Sequence, residues 1–75
     1  MMLDIDFARK VREIVSYNCR LRSDGWAEMS RVGAMLRQND INIRTKGYKL
    51  KEYFEEFSAE YELSVDGETK LPLVK

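Results

Sequence analysis

The stretch YELSVDGETKLPL, residues 61–73, decides the fold that the sequence predicts. Large apolar residues occupy every second position over 61–65 and again over 71–73, which is the period of a half-buried β-strand. Asp66-Gly67 between the two runs predicts a two-residue hairpin turn. Pro72 cannot donate to a sheet ladder, so we expect the second strand to lie at an edge with the missing donor facing outward. A three-helix bundle with a disordered tail would not explain this alternation.

Three helical segments precede the expected hairpin, because apolar residues recur there at spacings of three and four. The pattern predicts a first helix from about Asp4 to Leu21, a second from Arg31 to about Asn39, and a third from about Tyr48 to Ser58. Ser30 is the expected N-cap of the second helix. Residues 26–29 alternate in polarity and predict a short strand between the first two helices.

Three positions, one in the second helix and two in the loop after it, lead to expectations about core packing. Gly33 lies on the apolar face of the second helix, where glycine costs about 1 kcal/mol relative to alanine. We therefore expect a neighbouring side chain to approach closely at this position. Ile41 and Ile43 alternate within the loop that follows, and we expect both to fill the core.

The order helix, strand, helix, helix, hairpin is that of a winged helix, in which the hairpin is the wing. The sequence thus predicts an α+β fold, with residues 1–75 forming a single small domain of three helices, a short strand and a C-terminal β-hairpin. The chain has 75 residues, and a domain of this size buries only about 60% of the surface of its unfolded chain. It has no room for a deep substrate cavity.

Catalysis is not expected from this composition. The chain has no histidine, the side chain best suited to proton transfer near neutral pH. Cys19 has no partner base in the sequence and is expected to be a small core residue. Neither a phosphate-binding glycine loop nor a zinc-ligand spacing occurs. We predict a protein that is not an enzyme and has no cofactor, metal or small-molecule substrate.

The N-terminal sequence and the cysteine content predict a cytoplasmic protein that does not enter a membrane. A single cysteine cannot form an intrachain disulfide, and a small secreted domain normally has several. The first ten residues carry acids where a signal peptide would be basic and then apolar. No apolar run approaches the roughly 20 residues that a membrane span needs.

Charge is balanced overall but divided along the chain. The net charge is zero, yet residues 37–51 hold five bases and one acid, whereas residues 52–68 hold seven acids and no base. In a winged helix the basic block lies at the loop and helix start that face a nucleic acid. Arg31 on the second helix and Lys70 in the wing could extend that surface. The candidate nucleic-acid-binding residues are Arg31, Arg37, Arg44, Lys46, Gly47, Tyr48, Lys49, Lys51 and Lys70.

Two expectations concern individual members of this set. Lys46 and Gly47 precede the third helix, where free backbone amides favour a phosphate. Tyr48 could stack on an unpaired base or pack against the core, and Trp26 has the same two interpretations, with core packing favoured for Trp26. A basic block can also be only a solvated face, and the acids of residues 52–62 are most simply solvated too.

The stretch GWAEMSRVGAMLRQNDINIRTKGYKLKEYFEEF, residues 25–57, resembles the LOTUS or OST-HTH family. It departs from that pattern at Ile41 and Ile43, one of which stands where a phenylalanine is usual, and at Lys46, where tyrosine is usual. One residue fewer than usual separates the Gly-Tyr pair from the next leucine. The matching positions are Gly25-Trp26, Met29-Ser30, Val32-Gly33, Leu36, Gly47-Tyr48 and Leu50.

The resemblance implies an RNA-binding module, for single-stranded or guanine-quadruplex RNA, within an RNA-processing protein or complex. It also implies partners such as a NYN-type nuclease domain or another protein of RNA metabolism. Two rival interpretations remain open. The zero net charge and the acidic third helix also suit a protein–protein interaction module. A winged helix that binds duplex DNA is disfavoured, because few residues after Lys51 could contact base edges.

Overall fold

The structure is a computed structural model that describes residues 5–75. It has three α-helices, one 3-10 helix and a three-stranded antiparallel sheet, so the expected α+β fold is confirmed. The predicted start of the first helix at Asp4 lies outside the described residues. In chain order the elements are α1 (Ile5–Leu21), β1 (Ala27–Glu28), α2 (Met29–Gln38), the 3-10 helix (Ile43–Lys46), α3 (Leu50–Glu56), β2 (Leu63–Val65) and β3 (Pro72–Val74).

The sheet has the strand order β1-β3-β2, which corrects the expectation that the proline-bearing strand lies at an edge. β3 is the central strand, and Pro72 is its first residue. Pro72 pairs with Val65 of β2, whereas the ladder with β1 ends at Glu28 and Leu73. The missing N–H of Pro72 therefore falls beyond the end of β1, where no strand needs a donor.

The hairpin turn is longer than predicted, because β2 ends at Val65 and β3 starts at Pro72. The Asp66 Oδ1 atom accepts hydrogen bonds from the backbone amides of Glu68 at 2.8 Å and Thr69 at 3.0 Å. These local side-chain bonds stabilise a wider turn, so the two-residue prediction was wrong. Residues 66–71 form the loop at the tip of the wing.

β2 is exposed at all three positions, although its alternation resembles that of a half-buried strand. Leu63 is 36% exposed and Val65 is 58% exposed. The helices explain this difference, because α1 packs against β1 and α2 packs against β3, while β2 forms the far edge of the sheet. Of the alternating apolar residues, Tyr61 and Leu73 are buried, whereas Leu71 is exposed.

α2 begins at Met29, two residues before the predicted start, and Ser30 is an exposed residue of its first turn. Glu28 occupies the N-cap position without a side-chain capping bond. Met29 is buried, and burying a methionine side chain stabilises by about 1.5–3 kcal/mol. A serine N-cap contributes about 1 kcal/mol, so burial of Met29 is large enough to outweigh the capping preference of Ser30.

α3 is shorter than predicted, because Gly47 and Lys49 have non-helical backbone conformations between the 3-10 helix and α3. Gly47 ends the 3-10 helix with φ of 87°, in the left-handed region that favours glycine. Lys49 has an extended backbone with ψ of 160° and occupies the N-cap position. Tyr48 therefore lies in a connecting segment rather than in the helix.

The core lies where the helices meet the sheet. Ile41 and Ile43 are both buried there, as predicted. Tyr53 and Phe54 of α3 are nearly or fully inaccessible and contact the ring of Tyr61, with Phe54 at a centroid distance of 4.8 Å. Burial raises the pKa of Tyr61 to about 12, so its hydroxyl stays protonated.

Gly33 allows α2 and α3 to approach closely, which confirms the expected close neighbour. A Cβ atom at Gly33 would lie 3.1 Å from the Cδ2 atom of Leu50. A Cβ atom there would require the Leu50 side chain to shift by a few tenths of an ångström, and a longer side chain would displace it further.

We predict that Gly33→Leu lowers the free energy of unfolding by about 1–3 kcal/mol, because the side chain would overpack the contact with Leu50. Leucine favours a helix over glycine by roughly 1 kcal/mol, so any loss reflects packing alone. Gly67→Leu is the control, since nothing lies within 4 Å of its Cβ position. Urea denaturation measures both variants, and equal stability of Gly33→Leu and the wild type would contradict the packing argument.

Candidate nucleic-acid interface

A surface groove of about 660 Å³ lies between α2, the 3-10 helix and the start of α3. Arg37 of α2 and Arg44 of the 3-10 helix both line it, and so does Asp40 from the loop between them. Leu50, the first residue of α3, lines the groove as well. The structure thus brings together two of the predicted binding residues that are seven positions apart in sequence.

Two local features of the loop set the position of Arg44. The Asn42 side chain accepts a hydrogen bond from the Arg44 backbone amide at 3.0 Å, and the Asn42 backbone carbonyl accepts one from the Thr45 hydroxyl at 2.7 Å. Asparagine commonly caps a helix start in this way. Asp40 has φ of 58°, a conformation that Asp and Asn adopt more readily than most residues. Neither Asp40 nor Asn42 belongs to the candidate binding set that the sequence predicts.

Five predicted cations are exposed and carry no ion pair within residues 5–75, and all but Lys70 of the wing lie on α2, the 3-10 helix or the start of α3: Arg37, Arg44, Lys49, Lys51 and Lys70. Arg31 is also exposed, but its Nε atom lies 3.4 Å from the Glu28 carboxylate. An unpaired cation can bind an anionic ligand without first breaking an internal contact. The strongest cationic surface is therefore the groove together with the N-terminal end of α3.

Lys46 and Gly47 are placed differently from the other candidates. The Lys46 ammonium is half-buried and lies 5.3 Å from the ring centroid of Phe7 on α1, within the range of a cation–π contact. The Gly47 N–H donates to the Arg44 carbonyl at 3.0 Å. The expectation of a free Gly47 amide was wrong, because this residue closes the 3-10 helix three positions before α3 begins.

The two aromatic candidates are half-buried. Tyr48 contacts Tyr53 and Phe57 edge to face, at centroid distances of 5.9 Å and 6.3 Å. Trp26 lies beneath the Lys75 ammonium, which is 4.8 Å from its ring centroid. Both rings therefore contribute to packing and also retain exposed surface.

Arg22 anchors the wing to the rest of the domain. Its guanidinium lies 2.8 Å from Asp24, 3.1 Å from Asp66 and 3.6 Å from Glu28. Backbone hydrogen bonds from Thr69 and Glu68, followed by the bond from Arg22, lower the pKa of Asp66 to about 2. The predicted contact residue Lys70 is exposed in the same loop, with φ of 62°.

Within residues 5–75 we find neither a group of histidine, cysteine or acidic side chains that could hold a metal ion nor a cysteine with a lowered pKa. Cys19 is half-buried, with its Sγ atom 3.8 Å from the Val74 carbonyl, and burial raises the pKa of its thiol. A thiol with a raised pKa is a poor nucleophile near neutral pH. Over the same residues no helix is both long and apolar enough to cross a membrane.

Comparison with known proteins finds no matching family model, no matching curated protein and no matching solved structure. The likeness to LOTUS domains therefore rests on the sequence matches between Gly25 and Leu50. The fold is compatible with that likeness, since the α+β class and the antiparallel wing are both present.

The low pKa of Asp66 predicts acid sensitivity of the wing. A carboxyl whose pKa is lower in the folded state stabilises the fold above its unfolded value, near 3.8, and loses that contribution as the pH falls towards 2. We expect Asp66→Asn to lower the melting temperature at pH 6 and to reduce the further loss between pH 4 and pH 2. Glu68→Gln, in the same loop, is the control and should keep the wild-type pH dependence. An identical pH profile for Asp66→Asn and the wild type would contradict this role.

Proposed function

We propose that this chain is an RNA-binding module of the LOTUS or OST-HTH type that binds through the groove and the start of α3. The observation that supports the proposal is the shared placement of Arg37 and Arg44 on one groove. Lys49 and Lys51 are exposed at the end of α3 that borders it. No carboxylate within residues 5–75 pairs with any of these four cations.

Phosphate is the ligand group that best fits this arrangement. Guanidinium groups bind phosphate oxygens through two parallel hydrogen bonds, and two of them facing one groove can hold neighbouring phosphates of a backbone. The chain has zero net charge, so attraction must come from this face rather than from the domain as a whole. The likeness to LOTUS domains makes RNA the expected source of the phosphates.

The geometry favours single-stranded or quadruplex RNA over duplex DNA. α3 has seven residues and is therefore about 10 Å long, which is short for a helix that must read a major groove. Glu52, Glu55 and Glu56 are exposed on it and would face the phosphates of a duplex. Unpaired bases can instead stack on an accessible aromatic ring, and Tyr48 retains exposed surface beside the basic residues.

The proposed context is an RNA-processing protein or complex in the cytoplasm, with a NYN-type nuclease domain as one partner. The module would contribute RNA binding and leave the chemistry to that partner.

The main test compares two double variants that remove the same charge. We predict that Arg37→Ala/Arg44→Ala weakens RNA binding and lowers the slope of log affinity against log salt by about 1.4, since each phosphate contact to a single strand contributes about 0.7. Lys10→Ala/Arg20→Ala, at exposed α1 positions, is the control and should change the slope little. Fluorescence anisotropy with single-stranded RNA, quadruplex RNA, duplex RNA and duplex DNA measures both.

Three outcomes would contradict the proposal. The wild type could bind no RNA at low salt, it could prefer duplex DNA, or the two double variants could lose affinity equally. Equal losses would indicate diffuse attraction rather than a site at the groove.

A substitution at Asp40 provides a test in which RNA binding should become stronger rather than weaker. Asp40 is the one acid that lines the groove within the described residues. Asparagine adopts the positive φ found at this position at least as readily as aspartate does. We expect Asp40→Asn to strengthen RNA binding about two- to fivefold at low salt, because a repulsive charge is removed. Its melting temperature should stay close to that of the wild type. Weaker binding by a folded Asp40→Asn protein would show that the carboxylate contacts the ligand directly.

A further inference from the structure

β2 leaves one of its two backbone edges unpaired. Glu62 and Lys75 exchange both of their backbone hydrogen bonds, at 2.8 Å and 3.0 Å, and Ser64 lies opposite Leu73. In an antiparallel ladder the residues between such pairs direct their N–H and C=O groups to the other side. The backbone groups of Leu63 and Val65 therefore point away from β3, and no other strand within residues 5–75 pairs with them.

The side chains at this free edge are apolar. Leu63 and Val65 lie on the same face of β2, since they are two positions apart, and both are exposed. Soluble proteins usually protect a free edge with lysine, proline or an inward-pointing charge. None of these occurs at Leu63, Ser64 or Val65, so this edge can accept an added strand.

The charges around β2 indicate the kind of strand that fits. Glu60 and Glu62 precede it and Glu68 follows it, all with exposed side chains. No base occurs in the sequence between Glu52 and Glu68, although Lys75 lies opposite Glu62 across the sheet and Arg12 donates to the backbone carbonyl of Glu60. The negative charge of Asp66 is compensated by Arg22 at 3.1 Å, whereas Glu60, Glu62 and Glu68 carry no ion pair within the described residues.

A second copy of this chain is a poor occupant of the edge. Antiparallel pairing of two β2 strands about Ser64 would extend towards two pairings of Glu60 with Glu68, neither of which carries an ion pair within the described residues. Like charges directly opposite each other destabilise a strand pair. A strand with basic residues at both ends would replace these repulsions with attractions.

We propose that the free edge of β2 binds an extended, basic segment of a partner protein by strand addition. Backbone hydrogen bonds would form at Leu63 and Val65, alternate apolar side chains would cover these two residues, and flanking lysine or arginine would face Glu60, Glu62 and Glu68. This interaction goes beyond RNA binding and uses different residues, so a partner protein and an RNA can be tested separately.

The test uses three synthetic peptides and the full chain. The basic probe has two valines separated by a threonine, with arginine and lysine at both ends. A second peptide has glutamate in place of every basic residue, and a third has proline in place of one valine. We expect only the basic probe to bind. Amide hydrogen exchange, followed by NMR, should slow at Leu63 and Val65 when it does.

A pair of charge variants checks the flanking acids. We expect Glu62→Lys/Glu68→Lys to weaken binding of the basic probe about tenfold, since two attractive pairs become repulsive. Glu52→Lys/Glu55→Lys, which makes the same change of charge on exposed positions of α3, should weaken it much less. Leu63→Lys/Val65→Lys should abolish binding, while circular dichroism confirms that each variant is folded.

Several results would overturn the proposal. One is slowed amide hydrogen exchange at residues away from β2, and another is equal binding of the basic and acidic probes. Binding of the proline peptide, or equal effects of the two charge variants on binding, would also overturn it. Concentration-dependent dimerisation with protection at Leu63 and Val65 would identify a second copy as the occupant instead. RNA binding is measured on the same variants, so failure of the strand proposal is distinguishable from failure of the RNA proposal.

Discussion

The contact between Gly33 and Leu50 is the constraint on which the arrangement of α2 and α3 depends. Because Gly33 has no side chain, Leu50 can approach to 3.1 Å from its Cβ position, and the start of α3 lies directly against α2. The groove that holds Arg37 and Arg44 is bounded by these same elements, and Leu50 is part of its wall. A larger residue at Gly33 would thus disturb both the core and the proposed RNA-binding surface. The contact between Gly33 and Leu50 therefore links the stability of the domain to the shape of the proposed RNA-binding groove.

The separation of charge gives a neutral chain two distinct surfaces. Four basic residues, Arg37, Arg44, Lys49 and Lys51, lie around the groove and the start of α3, whereas the acids from Glu52 to Glu68 lie along α3 and border β2. Attraction to phosphate and attraction to a basic strand can coexist because they act at different places. Arg22 keeps the wing in position by compensating the charge of Asp66, which leaves the remaining acids of the wing region accessible.

Patterns of apolar residues predicted the elements, their order and much of the core, including Gly33, Ile41 and Ile43. The predictions failed where a local signal competed with burial or with side-chain chemistry. Burial of Met29 outweighed the capping preference of Ser30, and the Asp66 side chain formed a wider turn than its sequence suggests. The basic candidate residues could be recognised from the sequence, but which of them lie around one groove could not be predicted. Arg37 and Arg44 line the same groove because of the 3-10 helix, and this helix has no hydrophobic period from which it could be predicted.

The cation–π contact between Lys75 and Trp26 connects the sheet to the one tryptophan of the chain. Lys75 also shares two backbone hydrogen bonds with Glu62, the residue just before β2. Any event that shifts the end of the sheet, whether fraying at Lys75 or binding of an added strand, changes the distance between the Lys75 ammonium group and the indole of Trp26. The domain thus carries an intrinsic fluorescent reporter of its wing, which needs no dye and can be followed in real time.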